Sequence, residues 1–184
     1  MKLFNHNVFA LSLTLICAST ALSATVGVEI RDPYYFKPTN IVVNPGDRVV
    51  WTNLGIRTHD TRHTPLPPLW SSPSLNTNGT FAFTFTNLGY YPYHCHQHLL
   101  QGPFQTGSVS VVSISLGSLA RTPTNAQFDV RGGRAGLKAI IEAGGHFSSM
   151  VPIGTNSFPA SGTTRFTNNS PPLTNRFYRV RVVP

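Results

Sequence analysis

Little in this chain is acidic or sulfur-bearing. Its 184 residues contain two cysteines, two methionines and six Asp plus Glu, set against fourteen Lys plus Arg. No disulfide framework can be drawn from such a count when one cysteine, Cys17, lies near the start and the other is Cys95. A sustained helical period is also missing, as is any apolar run long enough to cross a bilayer. Helical bundles and membrane-spanning helices are therefore not expected.

The first residues read as an export leader. Lys2 supplies a positive start, Val8 to Ala21 is apolar or small, and Ala21-Leu22-Ser23 offers a cleavage site. Residues 1–23 are taken as the signal peptide, and an exported, periplasmic or extracellular protein follows. Ile16 before Cys17 is too large for a lipid-attachment site. Loss of the leader leaves about 160 residues, enough for one ordinary domain or two small ones. It also leaves Cys95 as the sole thiol, which must be a buried structural residue, reactive, intermolecular or metal-bound.

Charge is uneven along the chain. From Ala24 to Leu119, Arg31, Lys37, Arg48, Arg57 and Arg62 nearly balance Glu29, Asp32, Asp47 and Asp60. From Ala120 onward, eight basic residues face only Asp129 and Glu142. That surplus reads as a solvated basic face, or as a contact for an acidic partner, membrane surface or polysaccharide. Nucleic acid is not expected, since basic and aromatic residues do not interleave on one motif.

Short runs of Val, Ile, Thr, Phe and Tyr between Gly, Pro and Asn predict an all-β chain. Strands are expected at Val26–Ile30, Asn40–Val43, Arg48–Thr52, Thr80–Thr86, Gly89–His94 and Gly107–Ile114. Phe81, Phe83 and Phe85 alternate, so one face of their strand should enter a core. Six such strands suit a Greek-key sandwich over residues 24–116. A linker at 117–125 and a small β-rich module at 126–184 would follow. The module's strands are expected at Gln127–Val130, Gly136–Glu142, Thr163–Thr167 and Phe177–Val183, with a short helix over Leu137–Ala143 as the alternative.

The segment Gly89 to His98, GYYPYHCHQH, carries the chemistry. A thiolate and an imidazole separated by two residues, on a loop leaving a strand, can converge on one metal. A third ligand can come from the segment Val49 to His59. Two imidazoles and one thiolate in a trigonal set, with a weak or absent fourth ligand, are the donors of a blue copper site.

These residues resemble the plastocyanin and azurin family of cupredoxins over about Val26 to Val112. The resemblance is carried by the run Phe36 to Trp51 (FKPTNIVVNPGDRVVW), by the histidine eight positions after Trp51, and by Gly-x-Tyr-x-Tyr-x-Cys-x-x-His ending at His98. It implies a Greek-key sandwich, one type 1 copper, single-electron transfer with redox partner proteins, and His59, Cys95 and His98 as equatorial ligands. His63 is the runner-up for His59.

The chain departs from the family at the fourth ligand. Where a methionine is expected it reads Gly102-Pro-Phe-Gln-Thr-Gly107, and the only methionines are Met1 and Met150. Either Phe104 occupies the axial position without ligating, which is the preferred reading, or Gln105 or Gln101 supplies an amide oxygen.

His94 and His96 flank the cysteine on alternate positions and are expected to point away from it. His-Cys-His also resembles the bridge of multicopper oxidases. A full oxidase cluster needs several separate His-x-His pairs, and the six histidines left after His6 form only the one run His94-x-His96-x-His98. That excludes such a site within one chain and leaves an intersubunit site of a copper oxidoreductase as one alternative, with copper sequestration or adhesion as another. Asp60 is placed to bond across to the Cys95 loop. His146 stands alone and is read as structural or solvent-exposed. The tail faintly resembles small C-terminal β modules of secreted bacterial proteins, which implies attachment or packing.

Overall fold

Burial with a period of two runs through the strands. In Arg48–Asn53 the side chains of Val49, Trp51 and Asn53 are buried while their neighbours are less so, as a pleated strand with one face on a core requires. The computed structural model describes residues 23–99, 104–117, 119–122, 124–169 and 177–184. Among these the chain is all-β apart from two 3-10 turns, His96–His98 and Phe147–Ser149. Residues 1–22 of the expected leader, Cys17 included, and Gln101 lie outside the described residues.

The first eight strands are β1 (Thr25–Arg31), β2 (Tyr35–Lys37), β3 (Asn40–Val43), β4 (Arg48–Asn53), β5 (Arg62–His63), β6 (Thr80–Thr84), β7 (Gly89–His94) and β8 (Thr106–Val111). They form two sheets, in the orders β2-β1-β4-β6 and β3-β8-β7-β5. β1 with β4 and β3 with β8 are parallel; the other pairs are antiparallel. Val28, Ile30, Val49 and Trp51 of one sheet and Ile41, Val43, Tyr93 and Val109 of the other belong to a single buried cluster. Two sheets that share one core in this way are a sandwich. Trp51 lies at its centre, 5.6 Å from the Trp70 ring and 5.4 Å from that of Tyr93. Of the three alternating phenylalanines, Phe85 is buried and Phe81 and Phe83 pack partly buried against the same cluster.

The remaining strands are β9 (Ser115–Leu116), β10 (Ala120–Arg121), β11 (Ala126–Arg131), β12 (Lys138–Gly144), β13 (Val151–Ser157), β14 (Thr163–Asn168) and β15 (Phe177–Val183). One sheet runs β10-β11-β14, with β9 also on β11, and another runs β13-β12-β15. The helix alternative for Leu137–Ala143 loses to β12. Ala139 and Ile141 are buried on alternate positions there, and a bulge after Ile141 turns Glu142 inward as well. Glu142 then accepts from Arg179 Nε at 2.6 Å. The segment expected as a linker contains β10, which pairs with β11. Phe128, Val130, Ile141 and Phe166 build a second core that also takes in Val112, with Val42 and Ile114 packed against it. A unit of about 60 residues gains from such support, because its own core is small.

β7 and β8 are the pair on which the centre described below depends, and their fit turns on one glycine. Gly107 sits opposite Tyr93, and a Cβ on it would fall 2.5 Å from Tyr93 Cζ and 2.7 Å from the Thr39 carbonyl oxygen. Gly107→Ala should therefore cost about 1–3 kcal/mol by overpacking. Gly27→Ala, where a Cβ meets nothing within 4 Å, should change stability by less than about 0.5 kcal/mol. Urea denaturation of the two variants beside wild type measures both.

Candidate metal centre

The β7–β8 ladder delivers two side chains together. Its register pairs Tyr93 with Gly107 and His94 with Thr106, and the Cys95 N–H continues it by donating to the Gln105 carbonyl at 3.0 Å. Residues directly opposite in an antiparallel pair share a face. Cys95 and Gln105 therefore project to the side where Tyr93 enters the core, and each is 1% exposed.

Beyond Cys95 the chain makes the 3-10 turn His96–His98. Side chains three residues apart nearly eclipse in such a turn, so Cys95 Sγ and His98 Nδ1 meet at 3.2 Å. The Cys-x-x-His spacing thereby becomes a shared face.

His59 arrives from the other sheet. At the end of β4, buried Asn53 donates to the carbonyls of Arg57 and Leu75, both at 2.7 Å, and accepts from the Gly55 N–H at 2.9 Å. His59 exchanges two backbone hydrogen bonds with Leu75, at 3.1 and 2.7 Å. The loop so pinned sets His59 Nδ1 3.8 Å from Cys95 Sγ and 3.0 Å from Gln105 Oε1. The ligand atoms of His59, Cys95 and His98 all lie within 4.8 Å of one another, and all three side chains are buried. One thiol and two imidazoles at this separation fit a single ion that favours soft and borderline donors.

The set is like a type 1 copper site. No protein-family model matches the chain, and no curated relative does. Among solved structures it is similar to the purple cupredoxin from Nitrosopumilus maritimus, 26% identical over 47% of this chain and 98% of that one, with a TM-score of 0.41. An oxidized amicyanin mutant is 28% identical over 47% of this chain and 80% of its own, at 0.42. The Cu(I) form of another amicyanin mutant is 26% identical over 50% and 86%, at 0.43. At these TM-scores the likeness carries no argument for function, which rests on the side chains.

Around the type 1-like cluster, Asp60 ties the two ligand loops together. Its carboxylate accepts the His96 N–H at 2.6 Å, and its own N–H points at Cys95 Sγ from 3.4 Å. The ring of Tyr34 packs against His98 at 4.8 Å. Burial pushes the Cys95 thiol up to about 11. Burial first, and then the charge of His59, lower His98 below the ordinary imidazole range.

The preference for Phe104 over the amide is not what the strand geometry gives. Neighbouring residues of an extended chain face opposite ways, so with Gln105 turned inward opposite Cys95, the Phe104 ring is 67% exposed. Gln105 Nε2 donates to the Tyr35 carbonyl at 3.2 Å, which leaves Oε1 as the atom facing the cluster. His63 stacks on Trp70 at 5.0 Å and accepts from the Leu69 N–H, away from the cluster. His94 bonds to Thr64 and its ring is 6.2 Å from that of His96. His146 accepts from the Ser148 N–H at the second 3-10 turn.

Sequence reading missed Asp32 and Asn53. Asp32 Oδ1 lies 3.3 Å from His59 Nε2, yet the two residues belong to different loops and no spacing rule joins them. The sole hint is that Asp32 is one of four acidic residues between Ala24 and Leu119.

Two outcomes are expected. Asp60→Ala should weaken copper binding by about ten- to a hundredfold, whereas Asp60→Asn, which keeps an acceptor oxygen, should stay close to wild type; competition titrations against a chelator measure this. A thiol near 11 must lose its proton to ligate. Copper affinity should therefore rise by about tenfold per pH unit between about pH 8 and 10 and level off above the thiol's own value. The same titrations across that range read it.

Proposed function

We propose that this chain is an exported copper protein that passes single electrons through one mononuclear centre held by His59, Cys95 and His98. The observation that carries the reading is the convergence of these three buried side chains from two loops, with the Gln105 amide oxygen turned toward them. Gln105, in place of a methionine, would offer its amide oxygen as a fourth donor. Copper bound there supplies a one-electron couple that exchanges with a partner without forming or breaking covalent bonds in the protein.

The chain's own residues do the rest. Cys95 offers a soft thiolate that favours copper over harder ions. Asn53, Leu75 and Asp60 hold the ligand loops so that few atoms need move between the two charge states. Burial keeps water from competing for the centre. The Gln105 oxygen is a harder donor than a thioether and favours the doubly charged ion, which lowers the potential. Export rests on the leader-like residues 1–23. Among the described residues no helix is long and apolar enough to cross a membrane. The basic surplus after Leu119 suits an acidic partner or surface.

An absorption spectrum and a copper count test the reading. One copper per chain with an intense blue thiolate band is expected, and Cys95→Ser should lose the band while the Trp51 core still folds. No copper would favour adhesion, and more than one copper per chain an oxidoreductase subunit. Voltammetry then reads the axial donor. Gln105→Leu should raise the potential by about 60 mV for each tenfold loss of preference for the oxidised ion, and Phe104→Met should leave it nearly unchanged. The opposite pattern would return the axial position to Phe104.

A further inference from the structure

The far side of His59 rests against a carboxylate with two other anchors. Asp32 Oδ1 lies 3.3 Å from His59 Nε2, and Asp32 Oδ2 accepts the Ile56 N–H at 2.6 Å. Arg57 Nε stands 3.9 Å from Oδ1. The carboxylate also fills the space that a side chain at residue 55 would need, since a Cβ on Gly55 would come within 2.8 Å of it. Asp32 thus joins the turn after β1 to the loop after β4, and its orientation is fixed from both sides.

A neutral imidazole has one proton to place, and His59 has an oxygen waiting at each nitrogen. Gln105 Oε1 is 3.0 Å from Nδ1, on the side of Cys95, and Asp32 is at Nε2. A carboxylate is the stronger acceptor of the two. We propose that Asp32 is a positioning residue that holds His59 as the Nε2–H tautomer, so that the Nδ1 lone pair faces the cluster, and that its negative charge lowers the potential of the loaded centre. Nδ1 and Gln105 Oε1 then oppose each other lone pair to lone pair, a repulsion that a cation between them turns into attraction. The tautomer concerns the metal-free protein and rests on the carboxylate at 3.3 Å outcompeting the amide oxygen at 3.0 Å; the effect on potential rests on the copper reading above.

Nitrogen-15 NMR of the metal-free protein at alkaline pH reads which ring nitrogen carries the proton. The proton is expected on Nε2 in wild type and in Asp32→Asn, whose amide oxygen still accepts, and on Nδ1 or divided in Asp32→Leu. A wild-type proton on Nδ1, or an Asp32→Leu spectrum like that of wild type, overturns the proposal. With copper bound, Asp32→Asn should raise the midpoint potential, and Asp32→Leu should in addition weaken copper binding by about ten- to a hundredfold. Equal potentials in wild type and Asp32→Asn would overturn the electrostatic part. Failure of the wild type to take up copper would sink the copper reading and leave the tautomer result to stand or fall by itself.

Discussion

A sulfur, two imidazole nitrogens and an amide oxygen are brought together where water does not enter, and the few protons they share do not by themselves hold such acceptors in one place. Their separation of a few ångströms has to be imposed by the backbone around them. The Cys95 N–H to Gln105 carbonyl bond fixes one pair, the 3-10 turn fixes His98 against Cys95, and the double bond between His59 and Leu75 fixes the third loop. Asp60 closes the arrangement by holding the His96 N–H from the His59 side. An ion entering this set meets donors already in position, so the ordering cost has been met during folding.

The same strand serves the core and the centre. Tyr93 on β7 and Cys95 just past its end are two residues apart and face the same way, and each is 1% exposed. Tyr93 packs on Trp51 and Phe36, which locks the face on which the thiol must appear. A slip of one residue in β7 would bury His94 and expose Cys95. The close fit of Tyr93 over Gly107 opposes that slip, so the residue that looks most like filler helps to place the thiol.

Much of this was legible in the sequence because it depended on local spacing. Cys95 and His98 are three apart, and the runs at Asn40–Val43, Gly89–His94 and Phe177–Val183 alternate or carry β-branched residues between turn signals. What stayed hidden depended on register or on contacts between distant loops. Phe104 and Gln105 are adjacent, and only the pairing of Cys95 with Gln105 decides which of them turns inward. β13 contains Pro152 and Gly154 and has no fully buried residue, so it carries no strand pattern of its own and is held by its pairing with β12. Asn53 acts through hydrogen bonds to residues up to 22 positions away, and an asparagine at a strand end reads in sequence as an ordinary turn residue.

Acidic residues are few in the first half, and their distribution is telling. Of Glu29, Asp32, Asp47 and Asp60, Glu29 pairs with Arg31 on the surface and Asp47 caps the turn before β4 by accepting from the Ala24 and Asn44 N–H groups. The other two lie at the cluster, Asp32 behind His59 and Asp60 beside Cys95. A chain with a formal charge of +8 thus sets two carboxylates against the ligand loops where it has few to place. At short range and with limited water, such charges outweigh the more distant arginines after Leu119, whose field is screened over about 10 Å at ordinary ionic strength. The charge around the ligand atoms is therefore set by Asp32 with its neighbour Arg57 and by Asp60, rather than by the net charge.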